Sequence, residues 1–121
     1  MSLSNYIEGK FLDVLTNNGT FTSPTIYAKL HIGDPGEAGT ANAAAHTTRV
    51  AITFGASVSG VATQTGSSSW VAMGTAETIT YVSLWDASSA GNCLGAGPLA
   101  ASITVSIGDN IQISNMTISL D

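Results

Sequence analysis

The feature that most constrains this chain is a change of period. Near the N-terminus apolar side chains recur every three or four residues; after FTSP they recur every two. In TIYAKLHI, Ile26, Ala28, Leu30 and Ile32 share one face, and Tyr27, Lys29 and His31 share the other. That is the alternation of a half-buried strand. RVAITFGA repeats it with Val50, Ile52 and Phe54, and shorter runs follow at Val61 with Thr63 and Trp70 with Ala72. The stretch 79–99, ITYVSLWDASSAGNCLGAGPL, sets two apolar runs around the turn DASSAGN. Ile79, Tyr81, Ser83 and Trp85 form one face of its first strand; Thr80, Val82 and Leu84 form the other. Both sets carry apolar groups, as a strand covered on both faces requires. Ile103, Val105 and Ile107 alternate next, GDN turns the chain, and Ile111 and Ile113 continue. SN then offsets Met116, Ile118 and Leu120 as a bulge would. The pattern predicts a mainly β fold, with about seven antiparallel strands in a β-sandwich or partly open barrel.

A short helix precedes the strands. Leu3, Ile7, Phe11, Val14 and Leu15 make one apolar stripe, which predicts a helix over 4–17. Asn5 with Glu8 resembles a capping box, and Ser4 competes as the N-cap. Asn17, Asn18 and Gly19 supply the stop, since Asn and Gly tolerate left-handed geometry. Ile7, Phe11 and Val14 are expected to pack on the chain's own sheet. All 121 residues suit one domain, 1–121. That length supports a core without metals or disulfides.

Charge narrows the partners. Only 9% of residues are charged, against about 25% in ordinary domains. The net charge is −5, and Lys10, Lys29 and Arg49 are the only cations besides histidine. A phosphate backbone needs a cluster of such residues, so nucleic acid is not an expected partner. A polybasic membrane contact is excluded on the same ground. No apolar run approaches the ~18 residues of a membrane span, and the start lacks the pattern of a signal peptide.

The catalytic inventory is thin. His31, His46 and the single Cys93 offer at most a cysteine–histidine nucleophile. Cys93 reads more simply as a small buried hydrophobe. GxSxG, HExxH, Walker A and GxGxxG motifs are all absent, so no enzyme and no cofactor are expected. The 33–46 loop, GDPGEAGTANAAAH, is the segment best suited to mobility or function. Its Asp34 and Glu37 raise the question of calcium. The favoured reading is a solvated turn in which Asp34 accepts backbone N–H bonds ahead of Pro35. The aromatic residues serve core packing or a sugar-stacking platform, and Trp70, beside a run of serines, is the one expected at the surface. Candidate interface residues are Asp34, Pro35, Glu37, His46, Trp70, Tyr81 and Trp85.

Several segments, in order, resemble small structural proteins of tailed bacteriophages. MSLSNYIEGKFLDVLTNNGTFTSPTIYAKLHIGDP resembles their opening: a short helix with S-N-Y, a T-S-P, a "vYvaL" strand, then D-P and a loop. RVAITFGA resembles the strand that follows. TITYVSLWDASSAGNCLGAGPL resembles their "gifDa-tgGnlL-gpL" hairpin, and ITVSIGDNIQISNMTISLD their closing "aGDtl" segment. Such proteins are labelled head decoration (cement) or tail-fibre-like. The resemblance implies a virion protein made in a host bacterial cytoplasm. It implies a cement protein on the outer capsid surface, bound to the major capsid protein and stabilising the head. The alternative is a tail or head fibre-like module that binds host surface glycans. Few charges protect the strand edges, so a partner or symmetric copies, as in a homo-oligomer, are expected to cover them.

Overall fold

The computed structural model describes residues 1–120. Among these lie one helix, α1 (Asn5–Leu15), and nine strands: β1 (Ser2–Leu3), β2 (Ile26–His31), β3 (Val50–Phe54), β4 (Val61–Thr65), β5 (Ser67–Trp70), β6 (Glu77–Trp85), β7 (Cys93–Val105), β8 (Ile111–Ser114) and β9 (Thr117–Ser119). Seven of them form one antiparallel sheet in the order β1-β7-β6-β2-β3-β4-β9, nearly closed into a barrel. β5 and β8 pair separately. The expected β-rich barrel is therefore what forms, with two very short strands, β1 and β9, added at the sheet ends. None of the described helical residues forms a span long and apolar enough to cross a membrane.

The core lies inside this curved sheet. Ile79, Val82 and Leu84 of β6 meet Leu30 of β2, Ile52 of β3 and Trp70 of β5 there. The face assignment of β6 needs one correction. Its pairing with β7 is irregular between Ile79 and Tyr81. Ile79 therefore joins Val82 and Leu84 in the core instead of sharing the second face with Tyr81, Ser83 and Trp85. A register break moves side chains to the opposite face, which a strict period of two cannot anticipate.

Trp70 also departs from expectation: it is 1% exposed. In β5 the alternation places Ser68 and Trp70 inward and Ser67 and Ser69 outward. The Trp70 indole N–H donates to Thr48 O at 3.0 Å, so its polar atom is satisfied inside. The serines around it mark the outward positions of a short strand, not an exposed aromatic platform.

Helix α1 starts at Ser4, which serves as its N-cap. Ser4 Oγ accepts the Ile7 N–H at 3.5 Å and donates to Cys93 O at 2.6 Å. The Ser4 N–H is taken by Leu94 O at 2.9 Å, and the Asn5 N–H by Glu37 Oε2 at 3.0 Å, so the expected Asn5–Glu8 capping box does not form. Asn17, at φ 60°, closes the helix in the left-handed region. Only Ile7 of the helix is buried. Phe11 and Val14, expected on the sheet, are 39% and 49% exposed. The helix is fastened at its first turn and its second half extends past the strands.

The small residues that begin β7 let β1 pair beside it. A Cβ on Gly95 would lie 2.6 Å from Ser2 O, so any larger residue would push the edge strand away. In the 33–46 loop, Gly36 and Gly39 both hold positive φ, at 72° and 70°. Space around Gly36 is open, whereas a Cβ on Gly39 would lie 2.5 Å from Cys93 Sγ and 2.9 Å from Trp85 Cζ2. We therefore expect Gly36→Ala to cost about 1 kcal/mol, the left-handed penalty alone. Gly39→Ala should cost roughly 1–3 kcal/mol more from overpacking. Urea denaturation of the two variants checks this, and equal losses would mean that the loop does not press on Trp85.

Candidate functional site

The 33–46 loop is a hydrogen-bonded excursion from β2, not a free strap. Ile32 N–H donates to Asn42 O at 2.8 Å, and Ala44 N–H donates to Leu30 O at 3.1 Å. Asp34 Oδ1 accepts the Gly36 N–H at 2.9 Å, the turn expected ahead of Pro35. Asn42 Nδ2 donates to Asp34 O at 2.8 Å, and Ala41 N–H reaches Pro35 O at 3.0 Å. Two carboxylates tie the loop to the body. Glu37 Oε2 accepts the Asn5 N–H, the first of α1, at 3.0 Å. Glu77 Oε1 accepts the Ala45 N–H at 2.9 Å. An acidic group at a helix N-terminus satisfies an otherwise unpaired donor and opposes the helix dipole. The segment read as mobile or functional is thus held at its tip and at its base.

This loop covers the second face of β6. Beneath it, His31 and Ser83 are completely buried. His31 Nδ1 lies 2.9 Å from Ala41 O, and a carbonyl can only accept, so Nδ1 carries the proton. Nε2 then accepts from the Ser83 hydroxyl at 2.7 Å, and Ser83 Oγ accepts the Trp85 indole N–H at 2.7 Å. Every polar atom of the chain Trp85–Ser83–His31–Ala41 is paired, which is the condition for burying such a network. The face expected to meet another molecule is covered by the chain's own loop. Trp85 is 5% exposed. Its ring lies under the Arg49 guanidinium, 3.8 Å from the centroid, and Arg49 also donates to Ala87 O at 2.9 Å and Ala90 O at 2.6 Å. One of the few cations in the chain therefore braces the 86–92 turn and caps the indole.

Between the loop tip and the N-terminal strand runs a groove of about 450 Å³, lined by Met1–Ser4, Asp34, Gly36, Glu37, Tyr81, Cys93 and Gly95–Pro98. A second hollow of about 460 Å³ shares Ser4, Glu37 and Cys93 with it and adds Asn5, Tyr6, Thr40 and Asn92. The structure thus brings Asp34, Glu37 and Tyr81 together. It leaves the other candidates elsewhere. Pro35 is fully buried and shapes the loop. Trp85 shows only an edge to the second hollow. Trp70 is in the core, and His46 is tied to Val71 O at 2.9 Å. Sequence reasoning missed the N-terminal strand; its only signal was the run of small residues, Gly95–Gly97, that admits a neighbour.

The groove's chemistry is that of a polar contact surface. Asp34 and Glu37 each use one carboxylate oxygen on a backbone N–H and can accept further bonds through the other. Tyr81 adds a half-buried ring and a phenol. Among the described residues, no group of three or more His, Cys, Asp and Glu converges on a metal-sized site. Cys93 has its thiol directed to Gly95 O at 3.5 Å, while both ring nitrogens of His31 bond elsewhere and His46 bonds Val71 O through Nε2 and leaves its buried Nδ1 unpaired. Burial pushes the Cys93 thiol up, so the nucleophilic thiolate is disfavoured.

Burial pushes the His31 imidazole down from 6.5, despite its bond to Ala41 O. The unfolded chain then takes up a proton at higher pH than the folded one. Stability from this group is complete above about 6.5 and is lost as pH falls through 6.5 toward the folded value. One proton limits the slope to about 1.4 kcal/mol per pH unit. Denaturation midpoints should be flat from pH 8 to 7 and fall below 6.5, and the His31 ring should titrate below 6.5 in the folded protein. A His31 that titrates normally in the folded protein would contradict the network.

No curated protein matches the chain. A family model described as Podophage GP4 fiber I protein gp80 matches residues 2–121. The match spans the helix, the loop that builds the groove and all the strands, so the chain belongs to this family and is a bacteriophage virion structural protein.

Proposed function

We propose that this chain is a fibre component of the virion and that its groove contacts host-surface saccharide. The observation that carries the reading is the family match over residues 2–121 to a fibre protein. The groove supplies chemistry suited to it. Tyr81 offers a ring for the apolar face of a sugar. Asp34 and Glu37 offer acceptors for sugar hydroxyls, and such charge-assisted bonds are the stronger kind. Two carboxylates in a chain of net charge −5 disfavour acidic glycans, so the saccharide is neutral. The platform is Tyr81, not Trp70 or Trp85. The role is structural and recognitional rather than catalytic: the His31–Ser83 contact is sealed in the interior.

The cement reading, with the major capsid protein as partner on the outer shell, rests on the resemblance of separate segments. The fibre reading rests on a family description. Density mapping of intact virions at side-chain resolution separates the two. Density in a fibre is expected. Density on the head lattice touching several shell subunits would replace the fibre reading with cement, and absence from the particle would end both. For the groove, titration with neutral oligosaccharides from the host surface should shift resonances of Tyr81 and the 34–37 turn. Tyr81→Ala should weaken binding roughly five- to tenfold, the size of a lost aromatic contact; unchanged affinity would remove the groove from the proposal.

A further inference from the structure

The second half of α1 is the strongest physical anomaly in the molecule. Leu12 is 59% exposed and Leu15 81%, yet both belong to an eleven-residue helix with only Ile7 buried. An apolar helix face normally faces a core. Beside it opens a cleft of about 380 Å³, walled by Ile7, Phe11, Phe21, Phe54, Ile118 and Leu120 and lined by no charged side chain. Phe11 and Phe21 meet edge to face in its wall, with centroids 6.0 Å apart. The helix thus lends Ile7 and Phe11 to the wall of an apolar hollow, and its next residues, Leu12 and Leu15, protrude bare.

From this juxtaposition we infer that the α1 end is an interface between copies of this chain. The Leu12 and Leu15 side chains of one copy seat in the cleft of the next. Two observations select a second copy as the occupant. Knob and hollow are both present on the same surface, which makes that surface self-complementary, as contacts between identical subunits require. The area is also sufficient. At about 150–200 Å² per large side chain, the exposures of Phe11, Leu12, Val14, Leu15 and Leu120 leave on the order of 500 Å² bare. Two copies would then cover about 1,000 Å² in total, the lower bound of a specific interface. The saccharide groove lies between the loop tip and β1, with Leu3 and Gly95 as the lining residues it shares with the cleft.

The test is sedimentation equilibrium of the whole chain, with the double variant Leu12→Glu and Leu15→Glu beside it. Wild type should sediment as a multiple of 12.2 kDa at tens of micromolar. The double variant should be a monomer, with self-association weakened at least tenfold and an unchanged circular dichroism spectrum. Val71→Glu, at an exposed position on another surface, should leave assembly intact. A monomeric wild type would overturn the inference, as would multimers that persist in the double variant or that Val71→Glu disrupts equally. A monomeric wild type whose double variant drops out of virions would also overturn it, and would assign the cleft to a different virion protein. Saccharide titration of the same variants keeps the two proposals apart, because Tyr81 is not part of the cleft.

Discussion

The structure hangs on the β6–β7 hairpin. Its pairing runs from Glu77 with Val105 to Trp85 with Cys93, and both features that build the groove are anchored to it. The helix is fastened through β7, where Leu94 O and Cys93 O receive the Ser4 N–H and hydroxyl. The 33–46 loop is fastened across β6, where Ser83 holds His31 and His31 holds Ala41 O. Glu37 then joins helix to loop through Asn5. Remove the hairpin and neither wall of the groove has a support.

The low charge of the chain becomes intelligible in this frame. Few ionic contacts brace the fold; backbone amides and carbonyls, hydroxyls and amide side chains do the fastening instead. Such bonds contribute about 1 kcal/mol each when formed but cost more when a buried partner is left unpaired. Long exposed ion pairs would add little stability. Arg49 is the exception, and it acts through a stacked indole and two carbonyls rather than through a salt bridge.

Much of the fold was legible because it depends on local pattern. The alternation at 26–30 and 50–54 follows from the geometry of a strand with one buried side, and Asn17 followed from the left-handed stop; at the end of β2 it fails, since Ile32 is 46% exposed and His31 is buried beneath the loop. The hairpin's two apolar faces were readable as well; what covered the second face was not. Trp70 shows why. A serine-rich neighbourhood signals outward positions at Ser67 and Ser69, but whether the alternate positions point into a core depends on β8 lying across from them. The candidate site was legible only in part. Asp34, Glu37 and Tyr81 do line one groove, whereas His46 and Trp70 answer to other neighbours.

By itself the sequence determined the element types, the turns and the scarcity of ionic chemistry, since these are properties of residues and their near neighbours. Tertiary structure decided the irregular register at Ile79, the burial of the Ser83–His31 pair and the groove between residues 1–4 and 34–37. It also decided that α1 would be fastened only at its first turn, leaving Leu12 and Leu15 bare. Each of these is a contact between segments tens of residues apart. Side-chain period sets which way a residue points along its own strand; it carries no information about which distant segment arrives to meet it.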